Sequence, residues 1–345
     1  MGLNIKDLIV KKEIAIKDLK DKIVVVDSMN LLYQFLTTIR SQDGTVLTDS
    51  QGKVTSHLIG LFSRTTALME EGLKLAFVFD GKAPEIKRRT WEKRAELKKE
   101  ASLKLKEAEE EGNVEDMRKF ASRTAILTKE MVQEAKNLLG ALGLPVIQAP
   151  SEGEAQAAYM VKKGNAYAAV SQDYDCLMFG CPLLVRNLSI AGKRRKTGTL
   201  AYQTVKPETI ELKEFLQNLN LTLDQLIVLA ILIGTDYNPG GIKGIGPKNA
   251  LKLLKEFGTD FDDLFTKVAW GTFYPDLSWK EVFNTIKDIP TTDNYELKWK
   301  AINEEEVYHL LVKEHNFGEE RVKNKLEALR EVNKKLSQKG LGSFF

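Results

Sequence analysis

Residues 150–175 read PSEGEAQAAYMVKKGNAYAAVSQDYD and hold two closely spaced pairs of carboxylates. The four acids are Glu152, Glu154, Asp173 and Asp175. Between the pairs the sequence predicts a helix and then a short buried strand at 166–170, so the pairs belong to separate elements. Four acids in this arrangement are either turn and cap residues or part of a metal site.

The two pairs differ in how well a purely structural role explains them. Ser151 and Glu154 fit a capping box at the start of the predicted helix, and Glu152 suits its first turn through the helix dipole. Asp173 and Asp175 lie two residues apart in extended geometry, which aims both side chains at one point. Adjacent like charges are unfavourable unless a cation neutralises them, so this second pair indicates a metal more strongly.

Two further acids end predicted strands elsewhere in the chain. Residues 22–27 (KIVVVD) and 74–80 (KLAFVFD) are short and apolar, which is typical of buried parallel strands. Parallel sheets place ligands at the carboxyl ends of strands, so Asp27 and Asp80 would lie at the functional edge. Either acid alone also fits a polar strand terminator or helix cap. The pattern predicts an α/β fold with a mostly parallel central sheet flanked by helices.

Composition limits the kind of metal and the cellular setting. The 345 residues carry a net charge of +3, with two cysteines and three scattered histidines. We therefore expect no zinc site, and carboxylate oxygens favour Mg²⁺ or Mn²⁺. Scarce cysteine indicates a reducing compartment, and no secretory signal is present. The longest apolar run, 226–234, is too short to span a bilayer, so no membrane association is expected.

A strongly basic segment follows Asp80. Residues 82–106, which include Lys82, Lys87 and Arg94, contain ten lysines and arginines against four glutamates. The apolar residues there are too sparse for a core-facing stripe, which predicts a protruding and largely solvated helical segment over about 82–117. The alternative is an ordinary surface helix whose charged side chains pair with one another. The position directly after a candidate ligand favours a role beside the site.

Residues 234–257 (GTDYNPGGIKGIGPKNALKLLKEF) predict a phosphate-binding element. A helix and a loop precede the glycines, which fits a helix–hairpin–helix better than a dinucleotide fingerprint. Such a turn grips a duplex backbone without reading sequence, here through Lys243, Gly244, Gly246, Lys248 and Lys252. Its carbonyls can also hold a monovalent cation. Asp236 lies just upstream, which would couple the duplex grip to the acidic centre. A predicted hairpin adds a basic tip with Lys193, Arg194 and Arg195.

The final residues read QKGLGSFF. Paired aromatic residues at an exposed terminus have no folding role, and the spacing matches the peptide that docks on the replication sliding clamp. The clamp-binding residues would be Gln338, Leu341, Phe344 and Phe345. A single helical turn there would bring the three apolar side chains together as a plug.

Taken together, these segments resemble the flap endonucleases, structure-specific 5′ nucleases of replication and repair, and especially their archaeal members. The matching pieces are VVVDSMNLLYQF, FVFDGKAPEIKRRTWEKR, APSEGEAQAAY, VSQDYD, IGTDYNPGGIKGIGPKNAL and QKGLGSFF. The resemblance implies the PIN-like 5′ nuclease fold, with 82–117 as a helical arch over single-stranded DNA. It also implies seven acidic metal ligands, namely Asp27, Asp80, Glu152, Glu154, Asp173, Asp175 and Asp236. Lys87 and Arg94 would be basic catalytic residues, Tyr33 a base-stacking residue, and Gly2 an amino terminus near the site.

The implied reaction is phosphodiester hydrolysis with two Mg²⁺ ions about 4 Å apart, for which Mn²⁺ can substitute. The implied enzyme is a 5′ flap endonuclease with 5′–3′ exonuclease activity, acting in Okazaki fragment maturation and base excision repair. Its partners would be branched DNA and the sliding clamp, and it would otherwise be a monomer. The basic tail of eukaryotic relatives is missing, so we expect a cytoplasmic, nucleoid-associated prokaryotic protein. The implied organisation is a nuclease core at 1–215, a helix–hairpin–helix region at 216–330 and a flexible tail at 331–345.

Two alternatives remain open at this point. A sibling 5′ nuclease that prefers ends, gaps or bubbles would share the same motifs, because arch length and threading decide that preference. A non-catalytic junction binder tethered to the clamp would keep the basic and Phe-Phe features. It would leave the acids facing DNA phosphates unexplained, because acids repel phosphates unless a metal intervenes.

Overall fold

The computed structural model of the protein describes residues 3–41, 44–195 and 202–341. The strands in these residues are β1 (Lys12–Glu13), β2 (Ile23–Asp27), β3 (Lys74–Phe79), β4 (Val146–Gln148), β5 (Ala168–Val170), β6 (Leu183–Arg186), β7 (Gly192–Arg195), β8 (Tyr202–Val205) and β9 (Glu208–Glu211). Seven of them form one sheet in the order β1-β9-β6-β5-β2-β3-β4, while β7 and β8 form a separate hairpin. The central strands are parallel, and β9 joins β6 and β1 antiparallel.

Helices surround the sheet. They are α1 (Ser28–Thr38), α2 (Ser56–Glu70), α3 (Arg88–Glu110), α4 (Val114–Arg123), α5 (Lys129–Ala141), α6 (Gly153–Lys162), α7 (Asp175–Met178), α8 (Leu212–Leu219), α9 (Leu223–Ile233), α10 (Pro247–Phe257), α11 (Phe261–Lys267), α12 (Trp270–Phe273), α13 (Trp279–Lys287), α14 (Glu304–Tyr308) and α15 (Glu319–Leu341). A π-helical segment, His309–Glu314, follows α14. Short 3₁₀ turns lie at Lys6–Leu8, Ile16–Leu19, Glu85–Lys87 and Leu188–Ile190.

The central strands bury both faces, as their continuous apolar sequences predict. Along β2, Val25 joins one hydrophobic core with α6 and α9, whereas Val24 and Val26 join the other with α1, α2 and α5. This alternation follows from the two-residue period of a strand. The result is a helix–sheet–helix arrangement, which confirms the predicted α/β fold with a mostly parallel centre.

The order of the strands fixes where a site can form. From β2 the chain adds β3 and β4 on one side and later β5 and β6 on the other. Neighbouring loops therefore diverge at the carboxyl ends of β2 and β5, and such a switch point is where open α/β sheets bind ligands. The acids that follow these strands are placed there by topology.

Two sequence-based predictions need correction. Lys193, Arg194 and Arg195 were expected at a hairpin tip, but their backbone lies in β7, and the connecting residues 196–201 lie outside the described part of the chain. The left-handed Asn187 (φ 64°) turns the chain out of the main sheet after β6, so the hairpin begins later than its sequence indicated. The expected flexible tail from residue 331 is helical as far as Leu341, because α15 continues to that residue.

Among the described residues, no single helix is long and apolar enough to cross a membrane. The pair formed by α8 and α9 meets the length and composition requirement only together, with a bend of 78° between its helices.

Candidate active site

The seven predicted acids come together at the carboxyl edge of the sheet, around the switch point between β2 and β5. Asp27 ends β2, Asp80 follows β3, and Asp173 follows β5. The other members lie where helices meet this edge, with Glu152 and Glu154 at the start of α6, Asp175 at the start of α7 and Asp236 after α9. Each of them interacts electrostatically with at least one other member, so they form a single acidic cluster.

Neutral hydrogen-bond donors hold the inner part of this cluster. The Ser171 hydroxyl donates to Glu154 Oε1 at 2.8 Å and to Asp27 Oδ2 at 3.3 Å. The Asn30 amide donates to Asp173 Oδ2 at 2.9 Å, while the backbone N–H of Asn30 donates to Asp27 at 3.2 Å. Three carboxylates from three elements are thereby fixed by two small polar side chains.

The turn before α6 is built differently from the predicted capping box. Glu152, not Ser151, is the N-cap residue, and its side chain makes no capping hydrogen bond. The backbone N–H of Gly153 instead donates to Asp80 Oδ1 at 2.7 Å. A Cβ at Gly153 would lie 2.7 Å from that same oxygen, so glycine is required for the close approach. The capping-box prediction is therefore wrong because tertiary contacts with Asp80 and Ser171 take precedence over the local cap.

Burial and mutual repulsion dominate the electrostatics of the cluster. Burial, assisted by the charges of Asp80 and Asp173, raises the pKa of Asp27 to about 8. Burial and the neighbouring Asp173 raise the pKa of Asp175 to about 7, and burial raises the pKa of Glu154 well above its usual range. Burial also raises the pKa of Asp80 and Asp173. These carboxylates are poorly compensated by the protein itself, which is the expected state of a site for cations.

Two cations from the arch approach the opposite side of the cluster. Lys87 Nζ lies 2.6 Å from Glu152 Oε2 and 3.3 Å from Asp236 Oδ2. Arg94 Nη2 donates to both carboxylate oxygens of Asp236, at 2.7 and 2.8 Å. Although burial opposes it, these acids raise the pKa of Lys87 above its usual value, and the two cations lower the pKa of Asp236. The structure therefore brings both predicted basic residues beside the acids.

The donor set fits hard divalent cations that retain water. Within the described residues, no three His, Cys, Asp or Glu side chains converge closely enough to hold one ion by themselves. Carboxylates that repel one another spread apart, and Mg²⁺ needs only one or two direct carboxylates because it keeps several waters. Glu152 Oε1 is buried without a hydrogen-bond partner in the described chain, although Oε2 of the same group binds Lys87. An unpaired buried carboxylate oxygen beside other acids is a suitable ligand for a cation.

Two clefts flank the base of α3 and meet at Arg94. One, of about 760 Å³, is lined by Asp173, Asp236 and Leu97. The other, of about 1060 Å³, is lined by Asp80, Lys82 and the exposed Trp91. Tyr33 on α1 is 38% exposed, and its ring lies 5.6 Å from the Lys98 ammonium of the arch. Lys82 thus lines the larger of these two clefts, and Tyr33 lies close to the arch.

The remaining predicted contacts lie farther along the chain. Gly244 (φ 87°) forms the turn before α10, and Gly246 is the N-cap of that helix, with Pro247 as its first residue. The lysines of this turn, Lys243, Lys248 and Lys252, are exposed. Gln338 and Leu341 belong to the last turns of α15. Gly2, Phe344 and Phe345 lie outside the described residues.

Sequence reasoning missed several residues that shape the site. Asn30 and Ser171 bridge the acids, and Thr90 hydrogen-bonds the backbone carbonyl of Asp236. Arg186 donates to the Gln172 carbonyl at 2.8 and 3.0 Å, which fixes the segment that carries Asp173. The positions of Asn30 and Ser171, close to acids in the same segments, were the only signal available.

Comparisons with known proteins agree with this geometry. Residues 4–101 match the XPG N-terminal domain, and residues 143–236 match the XPG I-region. The chain is 50% identical to Flap endonuclease 1 of Pyrococcus horikoshii, over 100% of this chain and 98% of the relative. It is 51% identical to Flap endonuclease 1 of Staphylothermus marinus over the full length of both.

A solved structure supports the same conclusion. The flap endonuclease-1 of Methanococcus jannaschii superposes with a TM-score of 0.73 at 42% identity, covering 96% of this chain and 98% of that one. Relatives at this identity over the whole length share a family, and the structural match extends through both domains named above. The chain therefore belongs to the flap endonucleases, a family of divalent-metal-dependent nucleases that act at DNA junctions.

Proposed function

We propose that this nuclease cleaves 5′ flaps at single-strand/double-strand junctions, with the acidic cluster as its metal site and Lys87 and Arg94 as its phosphate-binding cations. One observation carries the proposal. Seven carboxylates lie at the edge of the sheet where the described parallel strands diverge, and burial raises the pKa of most of them. Lys87 and Arg94 of the arch pair with members of this cluster. A phosphodiester that enters the site can compete for Lys87 and Arg94, which pair here with Glu152 and Asp236.

The cluster would hold two Mg²⁺ ions, directly or through water, with Mn²⁺ as a substitute. Asp27, Asp173 and Asp175 form the inner group, together with Glu154, while Asp80 and Glu152 lie nearer the arch. Such ions supply an activated water and stabilise charge on the leaving oxygen. Asp236 is already paired with two cations, so we assign it a contact through water rather than a direct one.

Lys87 and Arg94 have a separate task from the metal-binding acids. In the DNA-free protein both are neutralised by Glu152 and Asp236. A scissile phosphate that enters the site offers these cations a second partner, and the acids that they release are then available to metal ions. The two cations would stabilise negative charge that develops on the phosphate during cleavage.

Substrate binding would use three surfaces outside the cluster. Exposed Tyr33 would stack on a base displaced from the duplex near the cut. The amides and lysines of the turn before α10 would bind the duplex backbone, and its carbonyls can take a monovalent cation. Lys82, the basic β7 strand and the Gly2 terminus would add phosphate contacts. The C-terminal motif at Gln338, Leu341, Phe344 and Phe345 would bind the sliding clamp.

The central test uses Asp173→Ala with 5′-flap DNA. We expect this variant to bind the flap as tightly as the unaltered protein but to cut it about 10³-fold more slowly or worse, because the water and phosphate would lose their metal-bound positions. Cleavage and binding are measured separately, by gel assay in Mg²⁺ and by fluorescence anisotropy in EDTA. Asp262→Ala removes an exposed acid that pairs only with Lys280 in the described contacts, and it serves as the matched control. Undiminished cutting by Asp173→Ala would reject the assignment.

The same assay separates the alternatives. A non-catalytic junction binder would bind flap DNA with or without EDTA and would never cut it. A sibling nuclease would cut gap, bubble or end substrates faster than the flap, so nicked, gapped, bubble and flap DNA are compared at equal concentration. The preference that we propose requires the flap to be cut fastest.

A further inference from the structure

The base of the arch is fastened to the loop after α9 by a contact that involves neither DNA nor metal. Thr90, in the first turn of α3, is buried, and its hydroxyl donates a hydrogen bond to the backbone carbonyl of Asp236. On the same turn, Arg89 Nη2 lies 3.7 Å from Asp276 Oδ2. The helix that carries Arg94, and that Lys87 directly precedes, is thus attached to the loop of Asp236 through a hydrogen bond to the backbone of that loop as well as through ion pairs.

The loop on the other side of this contact is buried and extensively hydrogen-bonded. Asn238 is fully buried, and its side chain bonds Ile231 and Thr235. The Tyr274 hydroxyl lies within hydrogen-bond distance of the carbonyls of Asn238 and Gly241, at 3.2 and 3.1 Å. A Cβ at Gly241, where φ is +57°, would approach backbone atoms to 2.4 Å, so the loop has little room to move. A hydrogen bond to its carbonyl therefore fixes the position of the partner helix.

Thr90 lies between the two arch cations in the sequence. Lys87, the N-cap residue of α3, is three residues before it, and Arg94 is four residues after it, which places Thr90 and Arg94 on one side of α3. Rotation or sliding of α3 about this contact would move both cations together. The ion pairs with Asp236 cannot prevent such movement once a phosphate competes for the same cations, whereas the Thr90 hydrogen bond uses a backbone carbonyl that the phosphate leaves untouched.

We propose that Thr90 is a positioning residue that holds α3 in the register at which Lys87 and Arg94 reach the scissile phosphate. The inference rests on the proposed function of those two cations, and Thr90 acts through α3, because its hydroxyl is engaged with the backbone carbonyl of Asp236. It fixes the position of α3 along its axis, and its rotation about that axis, relative to the loop that carries Asp236. Loss of the hydroxyl lets the arch base shift while the acids, the duplex-binding turn and the core remain in place.

The test compares Thr90→Val, Thr90→Ser and Thr66→Val in the full-length protein. Valine keeps the buried shape and removes the hydroxyl, while serine restores it. Thr66 is equally buried, but its hydroxyl bonds a carbonyl of its own helix, Phe62, so Thr66→Val loses a hydroxyl with no effect on the arch. The single-turnover cleavage rate of 5′-flap DNA in Mg²⁺ and the dissociation constant in EDTA are both measured.

We expect Thr90→Val to cut about tenfold more slowly with its dissociation constant within about twofold, because small misplacement of a catalytic group affects the rate of chemistry more than binding. Thr90→Ser and Thr66→Val should stay within about twofold of the unaltered protein. An unchanged rate for Thr90→Val, or an equal loss in Thr66→Val, would overturn the proposal. So would a loss that appears wholly in the dissociation constant.

A second readout needs no metal and no DNA. In EDTA, trypsin should cut after Arg88, Arg89 or Lys93 about fivefold faster in Thr90→Val than in the other proteins, because one hydrogen bond no longer holds the arch base. Mass spectrometry identifies the sites. Equal cleavage rates in all four proteins would refute the docking role. If the unaltered protein failed to cut flap DNA, the proposed function would fail, yet the trypsin comparison would still decide the role of Thr90.

Discussion

Two clusters of ionisable groups in the described part of the chain have their internal charges arranged in opposite ways. The acidic cluster at the sheet edge gathers seven carboxylates, and Lys87 and Arg94 pair directly with two of them. The second, here named the histidine cluster, consists of His57, His315, Glu134 and Asp49. His57 Nε2 donates to Glu134 at 3.1 Å, and His315 Nδ1 donates to Asp49 at 3.1 Å while its Nε2 lies 3.4 Å from Glu134.

The pKa values of the carboxylates shift in opposite directions in the two clusters. Burial raises the pKa of Asp27 and Asp175 in the acidic cluster, and neighbouring acids raise it further. Burial acts on Glu134 and Asp49 as well, but hydrogen bonds outweigh it: the bond from His57 lowers the pKa of Glu134, and bonds from the Lys53 backbone and His315 lower that of Asp49.

The difference is between carboxylates that the chain itself compensates and carboxylates that it leaves for ligands. In the histidine cluster each carboxylate has its partners within the chain, and the cluster joins α2, α5 and the segment after the π-helix into one scaffold. In the acidic cluster compensation by the protein is incomplete, so metal ions and a phosphate can complete it. A buried titratable group is thus a sign of function when the fold leaves it without compensation.

The largest expected effect comes from removing one charge in the acidic cluster. Asp27→Asn should lower flap cleavage about 10³-fold or more, because a metal position is lost. It should also raise the melting temperature of the metal-free protein, because a repelling charge is removed. Cleavage assays and thermal melts in EDTA measure the two effects, with Asp262→Asn as an exposed control. A metal-free melting temperature that falls would contradict the view that this cluster is uncompensated.

The next effect is the pH dependence of metal-free stability. Folded pKa values of about 8 for Asp27 and about 7 for Asp175 exceed the unfolded value of about 3.9, so the folded state binds more protons between these limits. Stability in EDTA should therefore fall as pH rises from about 4 to 8. Mg²⁺, which binds the ionised form, should raise the melting temperature more at pH 8 than at pH 5.5. Equal Mg²⁺ stabilisation at the two pH values would refute this.

The smallest effect tests the histidine cluster. Glu134→Ala removes the carboxylate that two buried imidazoles share, and we expect the free energy of unfolding to fall by about 2 kcal/mol. Flap cleavage at 25 °C should stay within about twofold. Urea unfolding and the cleavage assay measure these quantities, with Asn137→Ala on the exposed side of α5 as the control. A large loss of cleavage without loss of stability would show that this cluster also serves the reaction.

The acid pH response of the two clusters should also differ in sign. Because the folded pKa values of Glu134 and Asp49 are lowered, their contribution to stability is present above the unfolded values of about 4 and is lost as pH falls through the folded values. The acidic cluster instead gains stability as pH falls from 8 toward 4. The two responses are therefore resolved in different pH windows.

The sequence alone predicted the sheet class, and the strand runs that end in acids indicated that Asp27 and Asp80 lie at one edge of the sheet. The full set of seven acids was implied by the resemblance to a known family. Asp27 and Asp80 could be placed by one rule, that parallel sheets bind ligands at the carboxyl ends of their strands. Asn30, Ser171 and Thr90 escaped prediction because serine, threonine and asparagine occur in every turn and helix. Their roles depend on partners supplied by other elements, which no local pattern reveals.

The sequence by itself determined which segments become buried strands, which segment is too polar to join the core, and which acids follow the strands, because periodicity and composition act over a few neighbouring residues. Only the tertiary structure decided how charges are paired. Packing brought His57 and His315, scattered in the sequence, to one carboxylate, and it directed Gly153 to Asp80 in place of the predicted cap. Such pairings depend on distances between elements far apart in the chain, and those distances are set when both faces of the sheet are buried.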